Sequence, residues 1–295
     1  MFKDLAYCRP ATVAAAVTAL QTPGARALAG GTDLVVRLRE GREGVAQVVD
    51  LNAIPGLGQI GVQGEEIFLG PLVTFSQMMT SALIRHEAPL LARAAAAVGS
   101  PQIRNRGTLG GNIMNASPAG DSLPVLLALE ARVNLAGPEG ERCLPLAELL
   151  AGPYHTRALP GEILTEIRFP RLPAGCGSSF LKLGRRNALA IARINVAAVL
   201  QVEAGKIKSA RLAVGAVTPV PRRFPEAEAV LAGASPGEGV YKAAAREVAA
   251  GMVREAGQRP SFAYKIPAVQ ALVRRALAEA AQAVEGGEAG VPGSH

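Results

Sequence analysis

The chain has 295 residues, 49% of them hydrophobic and 19% charged, with a formal net charge of +7. That length accommodates two modest domains, or one domain with an appendage, and the apolar fraction specifies a globular core. A basic excess is compatible with nucleic-acid binding, but the arginines are scattered and only 4% of residues are aromatic. The charge therefore reads as a mildly basic surface, or one that docks an acidic partner, and no nucleic-acid role is expected.

The cysteines are Cys8, Cys143 and Cys176, widely spaced and without a Cys-x-x-Cys pair. Neither a zinc site nor an iron–sulfur cluster forms at such spacings, so no metal site is expected in this chain. A disulfide framework is equally excluded, which points to a reducing compartment. No segment has the apolar core of a signal peptide or the length of a membrane span. The expectation is a cytoplasmic protein.

In chain order, residues 10–20 read as a helix with Pro10 in its first turn and Val13, Val17 and Leu20 on one face. A strand at 25–29, the turn Gly30-Gly31-Thr32-Asp33, a helix at 34–40 and a strand at 47–51 make this part βαβ-like. Short strands follow at 59–62 and 67–70, then a helix capped by Thr74 and running to Ile84, then an alanine-rich helix at 89–98 closed by Gly99. Residues 100–120 read as a long glycine- and asparagine-rich loop, ending in a helix at 122–129. Strands are expected at 133–136 and 163–169, the latter with Ile163, Thr165, Ile167 and Phe169 on one face. Residues 171–177 form the best linker. A hairpin at 194–203 and 207–217 follows, turning at Ala204-Gly205, with helices at 241–250 and 267–284 beyond it.

Two glycine-rich stretches carry the chemistry. In Ala29-Gly30-Gly31-Thr32-Asp33-Leu34, glycines permit close backbone approach, and consecutive amides at a helix start form a cradle for phosphate. Thr32 adds a hydroxyl donor, while Asp33 is a more natural helix cap than phosphate ligand. The same turn also serves as plain structure. The second stretch, Gly107-Thr108-Leu109-Gly110-Gly111-Asn112, again offers glycine backbone donors, with Asn115, Ser117 and Asp121 nearby. A carboxylate there suits sugar or ribityl hydroxyls, not a pyrophosphate. Together the stretches fit a diphosphate gripped from two sides. The Rossmann fingerprint lacks its third glycine near Arg37, and no Gly-Lys-Ser/Thr of a P-loop exists.

These two motifs, in this order, closely resemble the FAD-binding subunits of the xanthine dehydrogenase and carbon monoxide dehydrogenase family. The likeness extends through Val48-Val49-Asp50-Leu51, residues 70–75, Ser100-Pro101-Gln102-Ile103-Arg104-Asn105-Arg106 and Gly161-Glu162-Ile163-Leu164. It continues through residues 180–192, with Lys182 and Arg185-Arg186, and through Val214-Gly215-Ala216-Val217, covering most of residues 1–285.

The resemblance implies an α+β fold: a two-subdomain, vanillyl-alcohol-oxidase-like (PCMH-type) FAD-binding part at 1–55 and 56–172, and a smaller C-terminal α+β domain at 178–285. Residues 286–295 are expected to be a disordered tail. It also implies two partners in a heterotrimeric molybdenum hydroxylase, a large molybdopterin subunit and a small subunit with two [2Fe–2S] clusters. Relatives often form a dimer of heterotrimers. Electrons would leave the substrate at molybdenum, cross the clusters, reach FAD on this chain, and pass to NAD, oxygen, a quinone or ferredoxin. Ser117-Pro118-Ala119-Gly120-Asp121-Ser122 resembles the xanthine dehydrogenase side of the family more than the carbon monoxide side.

Carried over by position, Ala29, Gly30, Gly31, Thr32, Asp33 and Leu34 would wrap the pyrophosphate, with Arg26, Ala27 and Leu28 leading in. Thr108, Leu109, Gly110, Gly111 and Asn112 would supply the second side. Asn115 and Asp121 would meet polar groups of the cofactor, and one of Leu164 and Thr165 would lie against the isoalloxazine. Lys182 is either a neighbour of the flavin's electron-rich end or a solvated lysine beside a strand. Asn112 and Asp121 read equally well as a turn cap and a helix cap. Arg104 and Arg106 either dock the small subunit or form surface ion pairs, and His86 and His155 are structural or exposed. No general base is assigned. Two other functions fit parts of the pattern: a stand-alone flavin oxidoreductase of this fold, and a flavin-free assembly protein.

Overall fold

Three short parallel strands begin the architecture, with Gln47–Asp50 in the middle, flanked by Ala6–Cys8 and Ala25–Leu28. Parallel strands need crossovers, and the helices Val13–Leu20 and Leu34–Arg39 supply them. Ala16 and Val17 lie in a small apolar cluster with Ala25, Val49, Leu51, Ile54 and Ile163. The first helix starts later than Pro10 predicts. Thr12 Oγ1 accepts from the Ala15 N–H at 3.2 Å, so the side-chain cap sets the helix start. This computed structural model describes residues 5–41, 44–186 and 189–285; the tail expected at 286–295 lies outside them, as do residues 187 and 188 of the family-like stretch 180–192.

The chain divides into two compact units that interleave in sequence. One comprises the chain up to Gln77 with Ser100–Ala116 and Ala131–Pro170; the other comprises Met78–Gly99, Ser117–Glu130 and the chain from Arg171. Besides the parallel strands, the first unit holds an antiparallel sheet. Its order is Ile60–Gln63, Glu66–Leu69, Ile163–Pro170, Arg132–Gly137 and Gly140–Pro145.

The central strand Ile163–Pro170 corrects the simple alternation expected of it. Pairing moves from Leu164 opposite Leu135 to Glu166 opposite Asn134, leaving Thr165 as an extra residue. One inserted residue reverses the side-chain parity. Leu164 therefore shares a face with Ile167 and Phe169, whereas Ile163 turns to the other side and joins the cluster of Ala16 and Val17. Thr165 Oγ1 donates to the Asn134 carbonyl at 3.1 Å.

Local side-chain caps explain two further differences. Residues 74–84 form two helices, Phe75–Thr80 and Ala82–Glu87, because Ser81 is extended (φ −62°, ψ 120°) and caps the second through Ile84 N–H. The stretch 100–120 is not a loop for most of its length. It contains the helices Pro101–Arg106 and Leu109–Asn115, capped by Ser100 and Thr108 respectively. Glycine and asparagine weigh against helix by propensity, yet two good caps and burial of Leu109 and Ile113 outweigh them.

The second unit is built on an antiparallel sheet of Cys176–Leu183, Ile194–Glu203, Lys206–Gly215 and Arg222–Arg223 in that order. Residues 194–200 are buried throughout, so the sheet is covered on both faces. Ile194, Val196, Ala198 and Leu200 share a core with helices Pro225–Leu231, Glu238–Ala256 and Phe262–Glu285. By parity, Asn195, Ala197 and Val199 face the opposite way, where helix Ser122–Ala128 contacts the same strand. The last two helices run longer than expected, and Pro267 lies inside Phe262–Glu285. It falls early in that helix, where little upstream structure is lost.

One ion pair in the first unit makes its stability sensitive to acid. Arg142 grips Glu162 with Nε at 2.6 Å and Nη2 at 2.8 Å, and the Leu159 N–H adds a third donor at 2.6 Å. The Arg142 hydrogen bond holds the Glu162 carboxyl below its ordinary range, against the opposing effect of burial. The folded state thus binds this proton more weakly than the unfolded chain, and the stabilisation present at neutral pH is lost as pH falls through the folded value. Glu162→Gln should cost about 2 kcal/mol at pH 7, and urea unfolding at pH 7 and pH 4 should show the deficit shrinking in acid.

Candidate cofactor site

The first glycine turn leaves the parallel sheet at its C-terminal edge, just beyond Leu28, which pairs with Asp50. Gly31 has φ +77°, a conformation that strains any residue with a side chain. Gly30 is required for a different reason. A Cβ there would lie 1.8 Å from the Arg106 carbonyl oxygen, so the turn lies directly against the end of helix Pro101–Arg106.

Among the described residues, the N–H groups of Gly30, Gly31, Thr32, Asp33 and Leu34 donate to no protein acceptor, and the first protein bond is Val35 N–H to Gly31 O at 3.1 Å. All five residues are half-buried or exposed. Consecutive amides with no protein partner suit an anion with several oxygens, which is what a diphosphate presents.

Asp33 occupies the N-cap position of helix Leu34–Arg39 without making a side-chain cap bond. Its Oδ1 accepts from Asn115 Nδ2 at 3.1 Å instead, and Thr32 Oγ1 lies 3.5 Å from its Oδ2. Asn115 Oδ1 accepts from Arg37, so this amide bolts helix Leu34–Arg39 to the end of helix Leu109–Asn115. Arg37 carried no signal in the sequence; only the fold brings it to Asn115. Arg26 and Ala27 are exposed, and Arg26 Nη1 returns to its neighbour's carbonyl, Ala25 O, at 3.0 Å.

The second glycine stretch contributes differently from the donor role its glycines suggest. Leu109 N–H donates to Val73 O and Gly110 N–H to Pro71 O, both at 2.9 Å; Gly111 N–H donates to Thr108 Oγ1 at 3.0 Å, and Asn112 N–H to Thr108 O at 3.0 Å. These four amides are thus committed within the protein. Gly110 permits close packing, since a Cβ there would lie 2.4 Å from Pro71 Cβ. Thr108, Leu109 and Gly110 are buried, whereas Gly111 and Asn112 are half-exposed. At Gly111 an added Cβ would meet only Thr108 Oγ1, at 3.0 Å. The two stretches are brought together, one as donor turn and the other as supporting wall. Leu164 is buried at 3% exposure, and Thr165 is the more accessible of that pair.

Asp121 and Lys182 belong to the second unit and form a pair. Lys182 Nζ donates to Asp121 Oδ2 at 2.5 Å and to Ala97 O at 2.8 Å, with 14% of the lysine and 7% of the aspartate side chain exposed. Asn195 Nδ2 donates to Asp121 Oδ1 at 2.9 Å. Asp121 heads helix Ser122–Ala128 without a cap bond, so the cap reading is replaced by a buried network. Burial pushes its carboxyl above the ordinary range, and Lys182 and Asn195 oppose that rise. Asn195 was missed in the sequence, although one amide inside the apolar run 194–200 was a readable signal. His155 is exposed, with Nδ1 3.4 Å from Pro153 O, and His86 is exposed beside Glu87. Among the described residues, no group of three or more His, Cys, Asp or Glu could hold a metal, and no helix is long and apolar enough to cross a membrane.

Residues 2–172 match the model of the FAD binding domain in molybdopterin dehydrogenase, and residues 179–280 match that of the CO dehydrogenase flavoprotein C-terminal domain. The chain belongs to the FAD-binding family of molybdopterin dehydrogenases. It is 34% identical to the nicotine 6-hydroxylase medium subunit of Paenarthrobacter nicotinovorans, over 93% of this chain and 96% of that subunit. It is 30% identical to the xanthine dehydrogenase FAD-binding subunit of Escherichia coli O157:H7, over 97% and 99%. A solved carbon monoxide dehydrogenase from Hydrogenophaga pseudoflava superposes with a TM-score of 0.89 at 31% identity, covering 94% of this chain and 96% of that one. The expected α+β FAD-binding fold with a C-terminal domain is therefore correct. The protein is the FAD-binding medium subunit of a molybdenum hydroxylase family oxidoreductase, and FAD is its cofactor.

The buried pair yields a measurable consequence. Lys182→Met leaves a carboxylate buried without its cation, which should cost about 3 kcal/mol in urea unfolding at pH 7. With the lysine's opposing influence gone, the Asp121 carboxyl rises further. A raised carboxyl binds its proton more tightly when folded, so the deficit should shrink as pH falls. Asp121→Asn added to Lys182→Met should recover part of the loss.

Proposed function

We propose that this chain is the electron-transfer subunit of a heterotrimer. In that complex the turn from Gly30 to Leu34 would hold FAD, whose chemistry would link [2Fe–2S] clusters on a small partner to an acceptor such as NAD, and substrate would be oxidised on a large molybdopterin partner. When bound, FAD supplies an exchange between carriers that deliver electrons singly and an acceptor that takes a pair. Its support in this chain is the row of unpartnered amides from Gly30 to Leu34, which fits the cofactor's diphosphate. Those donors are held rigidly by Gly30 against Arg106 and by Asn115 between the two helices, so little reorganises on binding.

Residues 1–55 and 56–172 would hold the cofactor, with Thr108 to Asn112 as the second wall and Thr165 or Leu164 toward the ring. Within the second unit Lys182 and Asp121 act as a pair, the aspartate fixing the position of the lysine. Arg104 and Arg106 would face the small subunit. The complex would assemble as a dimer of heterotrimers in the cytoplasm. Among the described residues, the carboxylate of the first glycine stretch, Asp33, is engaged by Asn115, which favours this reading over a free-standing flavin oxidoreductase.

The test is the visible spectrum of the protein purified with its co-expressed neighbours. Flavin bands that release FAD on denaturation, together with two further co-purifying chains, are expected. Gly111→Trp should lose most of the flavin absorbance while keeping the far-ultraviolet circular dichroism of the fold. A colourless, properly folded complex would contradict the proposal.

A further inference from the structure

The carbonyl that precedes the donor turn is held from outside the turn. Asn52 Nδ2 donates to Ala29 O at 3.0 Å. The same group donates to Asp50 Oδ1 at 2.5 Å, and the Asn52 N–H donates to that oxygen at 3.0 Å. Asp50 lies at the end of the central parallel strand, only 8% exposed and directly across from Leu28. Its second oxygen accepts from the Tyr7 hydroxyl at 2.7 Å and lies 3.5 Å from Arg9 Nε. One carboxylate therefore links the first strand, the central strand and the entrance to the glycine turn.

Ala29 C=O and Gly30 N–H are opposite ends of one planar peptide unit, and in a trans peptide they point in opposite directions. The described peptide bonds are trans. Whatever fixes the Ala29 oxygen therefore fixes the direction of the Gly30 N–H, the first of the unpartnered donors. Gly30 and Gly31 have no side chains to restrict their torsions, so the bond from Asn52 adds a restraint on this peptide that the turn itself does not supply.

We propose that Asn52, held by Asp50, is a positioning residue for the cofactor: it locks the Ala29–Gly30 peptide so that the amides from Gly30 onward face the FAD diphosphate. This rests on the cofactor reading above and adds to it the residues that aim the donors. Asp50 is the anchor and touches no ligand. Tyr7 braces the oxygen that Asn52 does not use.

The proposal separates two kinds of variant. Asn52→Ala removes the bond to Ala29 O, but the backbone N–H at position 52 still reaches Asp50, and the side chain is exposed. Tyr7→Phe removes a bond on the far side of Asp50. The intact complex is stripped of flavin and titrated with FAD. The phosphorus NMR resonances of the bound diphosphate and the melting temperature of the flavin-free complex are recorded alongside. Asn52→Ala should weaken FAD binding about tenfold, the scale of one hydrogen bond. It should shift the diphosphate resonances and leave the flavin-free melting temperature unchanged. Tyr7→Phe should lower the melting temperature with little change in either cofactor readout. An Asn52→Ala complex with wild-type affinity and wild-type phosphorus resonances overturns the inference while the cofactor reading stands. Weaker binding that tracks a lower melting temperature, with the resonances unmoved, also overturns it, since that is a purely structural role. A wild-type complex that takes up no FAD removes both.

Discussion

The carbonyl oxygen of Arg106 lies 1.8 Å from where a β-carbon of residue 30 would stand. No side chain can occupy that position, so the first glycine turn and the end of helix Pro101–Arg106 touch backbone to backbone. A second contact of the same kind joins Gly110 to Pro71. These approaches place the exit of the parallel sheet beside the capped helix Leu109–Asn115, and the rest of the first unit's site follows from that placement. Glycine is used here chiefly to bring protein to protein. Of the glycines in the two stretches, Gly31, at φ +77°, is the one needed for its own torsion.

A division of work results. The turn from Gly30 to Leu34 keeps its amides free, whereas those of Leu109 to Asn112 are spent on Val73, Pro71 and Thr108. The negative charge of Asp33, awkward beside a phosphate, is engaged by Asn115. That one amide also takes Arg37, so it joins two helices at once. Buried and half-buried polar groups of this kind are stable only when each finds a partner, and here geometry supplies them.

In the second unit the same rule operates at higher stakes. Lys182 and Asp121 are nearly out of solvent, where a charge without its partner is costly. The Ala97 carbonyl and the Asn195 amide add the hydrogen bonds that make burial tolerable. Asn195 Oδ1 finds no partner of its own and faces Gly215, where even a β-carbon would come within 2.3 Å. The amide's orientation is fixed by its donor side: reversing it would set its oxygen against the Asp121 carboxylate.

The sequence by itself determined the class of the protein and its chemistry. Helix and strand periodicities located most elements to within a few residues, and the two glycine motifs in order carried the family. These features are legible because they are local: a cap, a turn or an alternation involves residues within a few positions of one another. Tertiary structure alone decided which glycine amides stay free, that a bulge at Thr165 exchanges the faces of Ile163 and Leu164, and that Asp121 meets Lys182 and Asn195. Each depends on a partner far along the chain, such as Arg106 for Gly30 or Asn195 for Asp121. Which amide is satisfied and which carboxylate is paired is settled only when the folded backbone brings those partners within hydrogen-bonding distance.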